Sequence, residues 1–264
     1  MQIAATRPSN RRNAAPDRCT ASDFPAITGI VSDLVSVLDV DPGLAEVIPP
    51  DQRQQARQAT ATTLATYPSG SWRAPDSAQP SRDGFGLLVL DGLLLRRVEV
   101  AGRHAAELLG PGDLLRPFQH NGDDSTLDLT WTWRVVAPTK CAVLDARWAQ
   151  RAAAWPQLGA ELAGRALARS LRLVITMAIS QQPKLDIRLW MLFWELADRY
   201  GKVHADGIHL ELPLTHEVLS HLAGARRPSV SGALTRLAEA GRLTRSGRNW
   251  VLSGERPVLE ELSV

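Results

Sequence analysis

The stretch LTHEVLSHLAGARRPSVSGALTRLAEAGRLTRSGRNWVL, Leu214 to Leu252, decides the architecture of this chain. It reads as a helix, a tight turn, a second helix and a short basic hairpin. That is the layout of a winged helix-turn-helix, whose second helix fits the major groove of DNA. Thr215 stands at the N-cap of the first helix, with Glu217 in its positively polarised first turn. Leu214 and Leu219 occupy the two positions of a hydrophobic staple. Leu219, Leu222 and Ala223 form the buried side, and Gly224 ends the helix where a left-handed residue costs least. Pro228 falls at the start of the second helix, where its missing N–H has no bond to lose. Val230, Ala233, Leu234 and Leu237 continue the apolar face, and Gly241 stops it. Two strands around Ser246-Gly247-Arg248 complete a wing.

Charge points the same way. The stretch holds six arginines (226, 227, 236, 242, 245 and 248) against Glu217 and Glu239, a net of +4, whereas the whole chain is only +2. A basic segment on a slightly acidic body is the footprint of a polyanion site. Arg227 is placed to read a guanine edge. Ser229 and Ser231 are candidates for base or phosphate contacts. Arg226, Arg236, Arg245 and Arg248 are expected to hold phosphates. Thr215 and His216 open the first helix, where N–H groups face a phosphate. The bland alternative is a helical hairpin and ribbon that contacts only protein. Cations at both the turn and the wing argue against it.

Composition narrows the rest. At 264 residues the chain is long enough for two domains. No stretch approaches the roughly 20 apolar residues of a membrane span. Residues 1–23 are polar, lack the apolar run of a secretory signal and are read as a disordered tail. Two cysteines, Cys19 and Cys141, cannot build a disulfide framework, so a reducing cytoplasm is expected. No nucleophile turn, phosphate loop or metal-ligand spacing stands out, so no catalytic residue, metal or cofactor is assigned and the chain is not read as an enzyme.

Upstream of the winged module the hydrophobic period changes twice. Asp33 to Tyr67 carries a helical pattern broken at Pro42-Gly43 and Pro49-Pro50. Gly70 to Gly84 is rich in Pro, Ser and Asp and reads as loop. Leu87 to Leu90 and Leu93 to Leu95 flank Asp91-Gly92, the signature of a two-residue hairpin. A further turn at Gly102 leads to a strand over Ala105–Leu109. Leu127, Leu129, Trp131, Trp133 and Val135 alternate with polar residues, a half-buried strand, and Lys140–Leu144 adds another. Many short strands with Gly turns suggest a barrel or roll. Ala146–Ala154 is a short helix that Trp155-Pro156 breaks, and Gln157–Gln182 is a helix of about 39 Å. Leu162, Ala166, Leu173 and Met177 mark one face of it, and Leu167, Leu171, Val174 and Ala178 a neighbouring one. A band this wide needs burial on two sides: one against the β-domain, the other against a second copy of the helix.

The order of parts resembles the Crp/Fnr superfamily of bacterial transcription regulators. The resemblance runs from about Val31 to Leu252 and rests on GLLVLDGLLLRRVEVAGRHAAELLGPGDLL (Gly86–Leu115) and on the Leu214–Leu243 stretch. It implies an α+β chain: a cyclic-nucleotide-binding-like sensor β-roll with N-terminal helices at 24–145, connecting and dimerisation helices at 146–182, and the winged helix-turn-helix at 183–264. It also implies a homodimer through residues 157–182 on double-stranded DNA, with RNA polymerase as a further contact. The alternative reading is a small-molecule receptor that works through protein contacts, with the winged module as its docking surface.

Departures from the family pattern limit what carries over. Gly112, Asp113 and Arg116 are the candidate effector residues, but Arg116-Pro117 stands where nucleotide-binding members have Gly-Glu. Asp124 to Thr130 contains no Arg to hold a cyclic phosphate. A buried phosphate without a cation is costly, so the effector is expected to be something other than cyclic AMP, or absent. Arg116 is expected in a surface salt bridge. Two cysteines exclude a one-subunit iron–sulfur cluster. His104, His120, Asp123 and Asp124 read as scattered loop residues rather than metal ligands. Pro228 and Gly232 replace the Glu and second Arg of the best-known reading helix, so the half-site should differ.

Overall fold

Strands dominate the first half of the chain. The computed structural model describes residues 30–72, 84–116, 127–247, 249–254 and 256. The expected tail, Cys19, His120, Asp123, Asp124 and Arg248 lie outside them. The order opens β1 (Ile30–Ser36), α1 (Val37–Val40), α2 (Pro42–Glu46), α3 (Arg53–Ala59), β2 (Ala61–Tyr67), β3 (Gly70–Trp72). It continues β4 (Gly86–Val100), β5 (Arg103–Leu109), β6 (Leu114–Leu115), β7 (Leu129–Leu144). These strands form one antiparallel sheet, β1-β2-β7-β4-β5, with β3 on β7 and β6 on β4.

Three expectations are corrected here. The helical reading of 33–67 holds only for α1 to α3. Its two ends are strands paired with each other, because the β-branched run in ATTLATY finds β1 on one side and β7 on the other. Asp91-Gly92 is not a hairpin turn. β4 runs straight through it and pairs with β7 on both sides, with register shifts at Val89, Asp91 and Leu93. Gly92 has φ +90°, and a Cβ there would sit 2.2 Å from the Pro138 carbonyl oxygen. The residue that permits a turn here permits a bulge instead. Gly92→Ala is expected to cost about 1–3 kcal/mol in a denaturant melt. Last, the strands expected at 127–135 and 140–144 are one strand, β7, which follows β4 past the bulge.

The helices follow closely. Asp145 caps α4 (Ala146–Ala152) by accepting from the Trp148 N–H at 2.7 Å. Pro156 opens α5 (Pro156–Ser180), and α6 (Leu185–Tyr200) follows. A hairpin not anticipated from the sequence, β8 (Gly201–His204) and β9 (Gly207–Leu210), comes next. Then come α7 (His216–Leu222), α8 (Arg227–Glu239), β10 (Leu243–Ser246) and β11 (Asn249–Leu252). The wing extends that hairpin into a four-stranded sheet, β10-β11-β9-β8.

Three apolar clusters organise the packing. Tyr67, Trp72, Leu94, Leu109, Val135 and Cys141 fill the inside of the roll. Leu38, Leu44, Ile48, Trp148, Leu158 and Leu162 seal its helical side. The third joins the outer face of β4 and β5 (Leu93, Leu95, Leu108) to α6, α7 and α8. The winged module is therefore docked on the roll. No described helix is long and apolar enough to cross a membrane.

α5 divides its faces differently from the expectation. Arg165, Arg169 and Arg172 lie on the side facing the roll, and each grips a carboxylate: Asp41, Glu107 and Asp113. Hydrogen bonding to Asp41 leads the causes that raise the Arg165 guanidinium. Burial pushes the Asp41 carboxyl up, but Arg165 outweighs it and holds the group below its ordinary value. At 100° per residue, Leu167, Leu171 and Val174 fall nearly opposite this arginine stripe, and all three are exposed. Of the other expected face, Leu162 is buried while Ala166 and Met177 are exposed.

Candidate nucleic-acid interface

The turn between α7 and α8 builds the site. The Thr215 hydroxyl accepts from the Val218 N–H at 3.2 Å and caps α7. Leu214 and Leu219 are both buried, as a staple requires. Gly224 leaves the helix at φ +59°. α8 begins at Arg227, one residue before Pro228, and buries Val230, Ala233, Leu234 and Leu237. Its other side carries Arg227, Pro228, Ser229 and Gly232 to solvent. The wing is held by Trp250, whose indole N–H donates to the Leu214 carbonyl at 3.1 Å while its ring packs on Phe193.

Most of the expected contact residues converge. His216 Nδ1 lies 2.8 Å from the Ser231 hydroxyl, which donates to the Arg227 carbonyl at 3.2 Å. The hydrogen bond shared by Ser231 and the imidazole orients the ring. Burial, then the charges of Arg245 and Arg227, lower the His216 imidazole below its ordinary value. Helix and wing cations thus act on one spot. Arg245 stacks over Trp250 with its guanidinium 5.3 Å from the ring centroid, which aims it from the wing. Arg226 and Ser229 are exposed beside Arg227. Arg236 stands apart, at the far end of α8, 3.7 Å from Asp186.

The expected effector residues have other duties. Gly112 takes φ +86° and donates its N–H to the Val89 carbonyl, which shapes the turn. Asp113 is 3% exposed. It accepts from the Gly110 N–H at 2.9 Å, from Arg172 of α5 at 2.8 Å, and from Arg199 of α6. Arg116 donates to the main-chain carbonyls of Gly84 and Phe85, and among the described residues it has no ion-pair partner. The roll interior is apolar and aromatic, and burial pushes the Cys141 thiol up to about 12. The arginine stripe of α5 was readable in the sequence at spacings of four and three residues. The apolar pattern of the same helix drew attention away from it.

Residues 187–262 match the family described as the Crp-like helix-turn-helix domain. Solved structures share the fold over most of the chain at low identity. A CooA variant from Carboxydothermus hydrogenoformans is 18% identical, with 88% of this chain and 95% of that one covered and a TM-score of 0.57. A cyclic nucleotide-binding domain containing protein from Listeria monocytogenes EGD-e is 16% identical, covering 81% and 96% at 0.59. FixK2 from Bradyrhizobium japonicum is 18% identical, covering 76% and 95% at 0.54. No curated protein matches the sequence.

Proposed function

We propose that this chain, a Crp-like helix-turn-helix domain carried on the fold of the Crp/Fnr regulators, is a sequence-specific DNA-binding transcription regulator that acts as a homodimer in the cytoplasm. The observation that carries the reading is the solvent-facing start of α8, where Arg226, Arg227 and Ser229 stand beside His216 and the wing cation Arg245. Phosphate contact at turn and wing sets register, and Arg227 reads a base edge. Two copies pair through Leu167, Leu171, Val174 and Met177 of α5, which a lone chain leaves exposed. Pairing presents two reading helices to half-sites about one DNA turn apart.

The roll works as a scaffold or takes an effector other than cyclic AMP. Its described interior residues form an apolar and aromatic cluster, and the buried carboxylate of the Gly-Asp turn is held by two arginines. The residues carry regulation rather than catalysis, with RNA polymerase as a further contact on the promoter.

Selection from random DNA should return a two-fold symmetric site, with affinity falling steeply as salt rises. Binding that shows no sequence preference at any salt overturns the proposal. Arg227→Ala should relax the sequence at one position per half-site, at about 1–3 kcal/mol.

A further inference from the structure

The seam between the roll and the winged module ends in two facing histidines. His104 on β5 and His221 on α7 meet edge to face, with ring centroids 5.2 Å apart and planes at 75°. His104 Nε2 and His221 Nδ1 are shut off from solvent, and neither has a hydrogen-bond partner among the described residues. The apolar seam continues beside them, with Leu108 of β5 and Leu222 of α7 in one cluster.

The charged groups around the pair come from three elements. β4 contributes Arg97 and Glu99, ion-paired to each other, with Glu99 directly opposite His104 in register. β7 contributes Arg134 and α7 contributes Glu217, ion-paired at 3.0 Å. Glu107 of β5 is engaged elsewhere, by Arg96 and Arg169. Both nearby carboxylates are thus committed to arginines, and neither bonds to an imidazole.

We propose that the contact of His104 with His221 is a proton-sensitive latch: with His221 neutral it holds the winged module on the roll, and a proton added to His221 releases the module with both parts still folded. A protonated imidazole has two N–H donors and a full charge, and at the buried His104 Nε2 and His221 Nδ1 no described acceptor receives such a donor. Opening the seam supplies water. Burial first, then Arg97 and His104, hold the His221 imidazole below its ordinary value, with Glu217 the one opposing group. The docked state therefore disfavours the proton. Docking is fully stabilised above about pH 6.5 and weakens as pH falls below it, by up to tenfold for each unit between the docked and free values.

The test is amide hydrogen exchange on the full-length chain at pH 7.5 and 5.5, corrected for intrinsic rates, and read without DNA. Segments 103–109 and 216–222 of the wild type should lose protection about tenfold at the lower pH, while 86–95 of β4 keeps its protection. His221→Gln should show no such loss between the two pH values, and His104→Gln serves as a second variant if the first fails to fold. Equal wild-type protection at both pH values overturns the latch. So does an equal loss in β4, which is global unfolding, or a variant that tracks the wild type.

Discussion

Leu171→Asp is expected to leave the chain folded, monomeric and weak on DNA. Leu171 is 63% exposed and sits in the middle of the apolar stripe that runs from Leu167 to Val174. A side chain in open water contributes little to the fold of one chain, so the melting temperature of the monomer should hold. In a paired helix the same position is enclosed, and each large aliphatic side chain buried there stabilises association by about 1.5–3 kcal/mol. A carboxylate in that seam faces its own copy across the two-fold axis, adding repulsion and desolvation to the lost burial. Sedimentation should show the change of mass directly. On a symmetric site, losing the second half-site contact lowers affinity by about 10²–10⁴-fold, with no change at the reading helix. A wild-type chain that is monomeric at micromolar concentration, or a variant that remains dimeric, would remove the basis for pairing through α5.

The second large effect belongs to Asp113→Ala. This carboxylate is the point where three parts of the molecule meet: the Gly110–Asp113 turn of the roll, Arg172 of α5 and Arg199 of α6. Its removal leaves the Gly110 N–H and two guanidiniums without their acceptor. Deleting one partner of a buried pair costs about 3–5 kcal/mol, and about 3 is expected here because both arginines retain some contact with water. For a chain of this size that lowers the melting temperature by about 6–12 °C. Asp113→Asn keeps an acceptor for Gly110 and should recover part of the loss. The same variants should loosen α6 against the roll, which amide exchange in α6 would report. A loss below about 1 kcal/mol would mean that the three-way contact holds nothing together.

These two positions also separate what was legible from what was not. The exposed stripe of α5 was readable as a row of apolar residues at helical spacing, and the absence of a cover for it is a property of the single chain. Asp113 was readable only as a turn residue, and its sequence neighbourhood suggested a ligand. Its partners lie 59 and 86 residues further along the chain. No local pattern carries that information. Asp91-Gly92 fails in the same way. The dipeptide specifies a left-handed backbone, and whether that becomes a turn or a bulge depends on Pro138 and Thr139 of a strand far away in sequence. His104 looked like an isolated loop residue until α7 brought His221 to its ring.

By itself the sequence determined the winged module, the break at Trp155-Pro156 and the long helix after it, together with the strand content of the roll beyond Gly86. Capping, helical period and alternation act within a few residues, so they are written locally. Tertiary structure alone decided that β4 is one bulged strand, that Asp113 joins roll to helices, and that the winged module rests on the roll across an apolar seam with two histidines beside it. Those outcomes depend on which distant segment supplies the facing surface, and only the closed fold brings the two together.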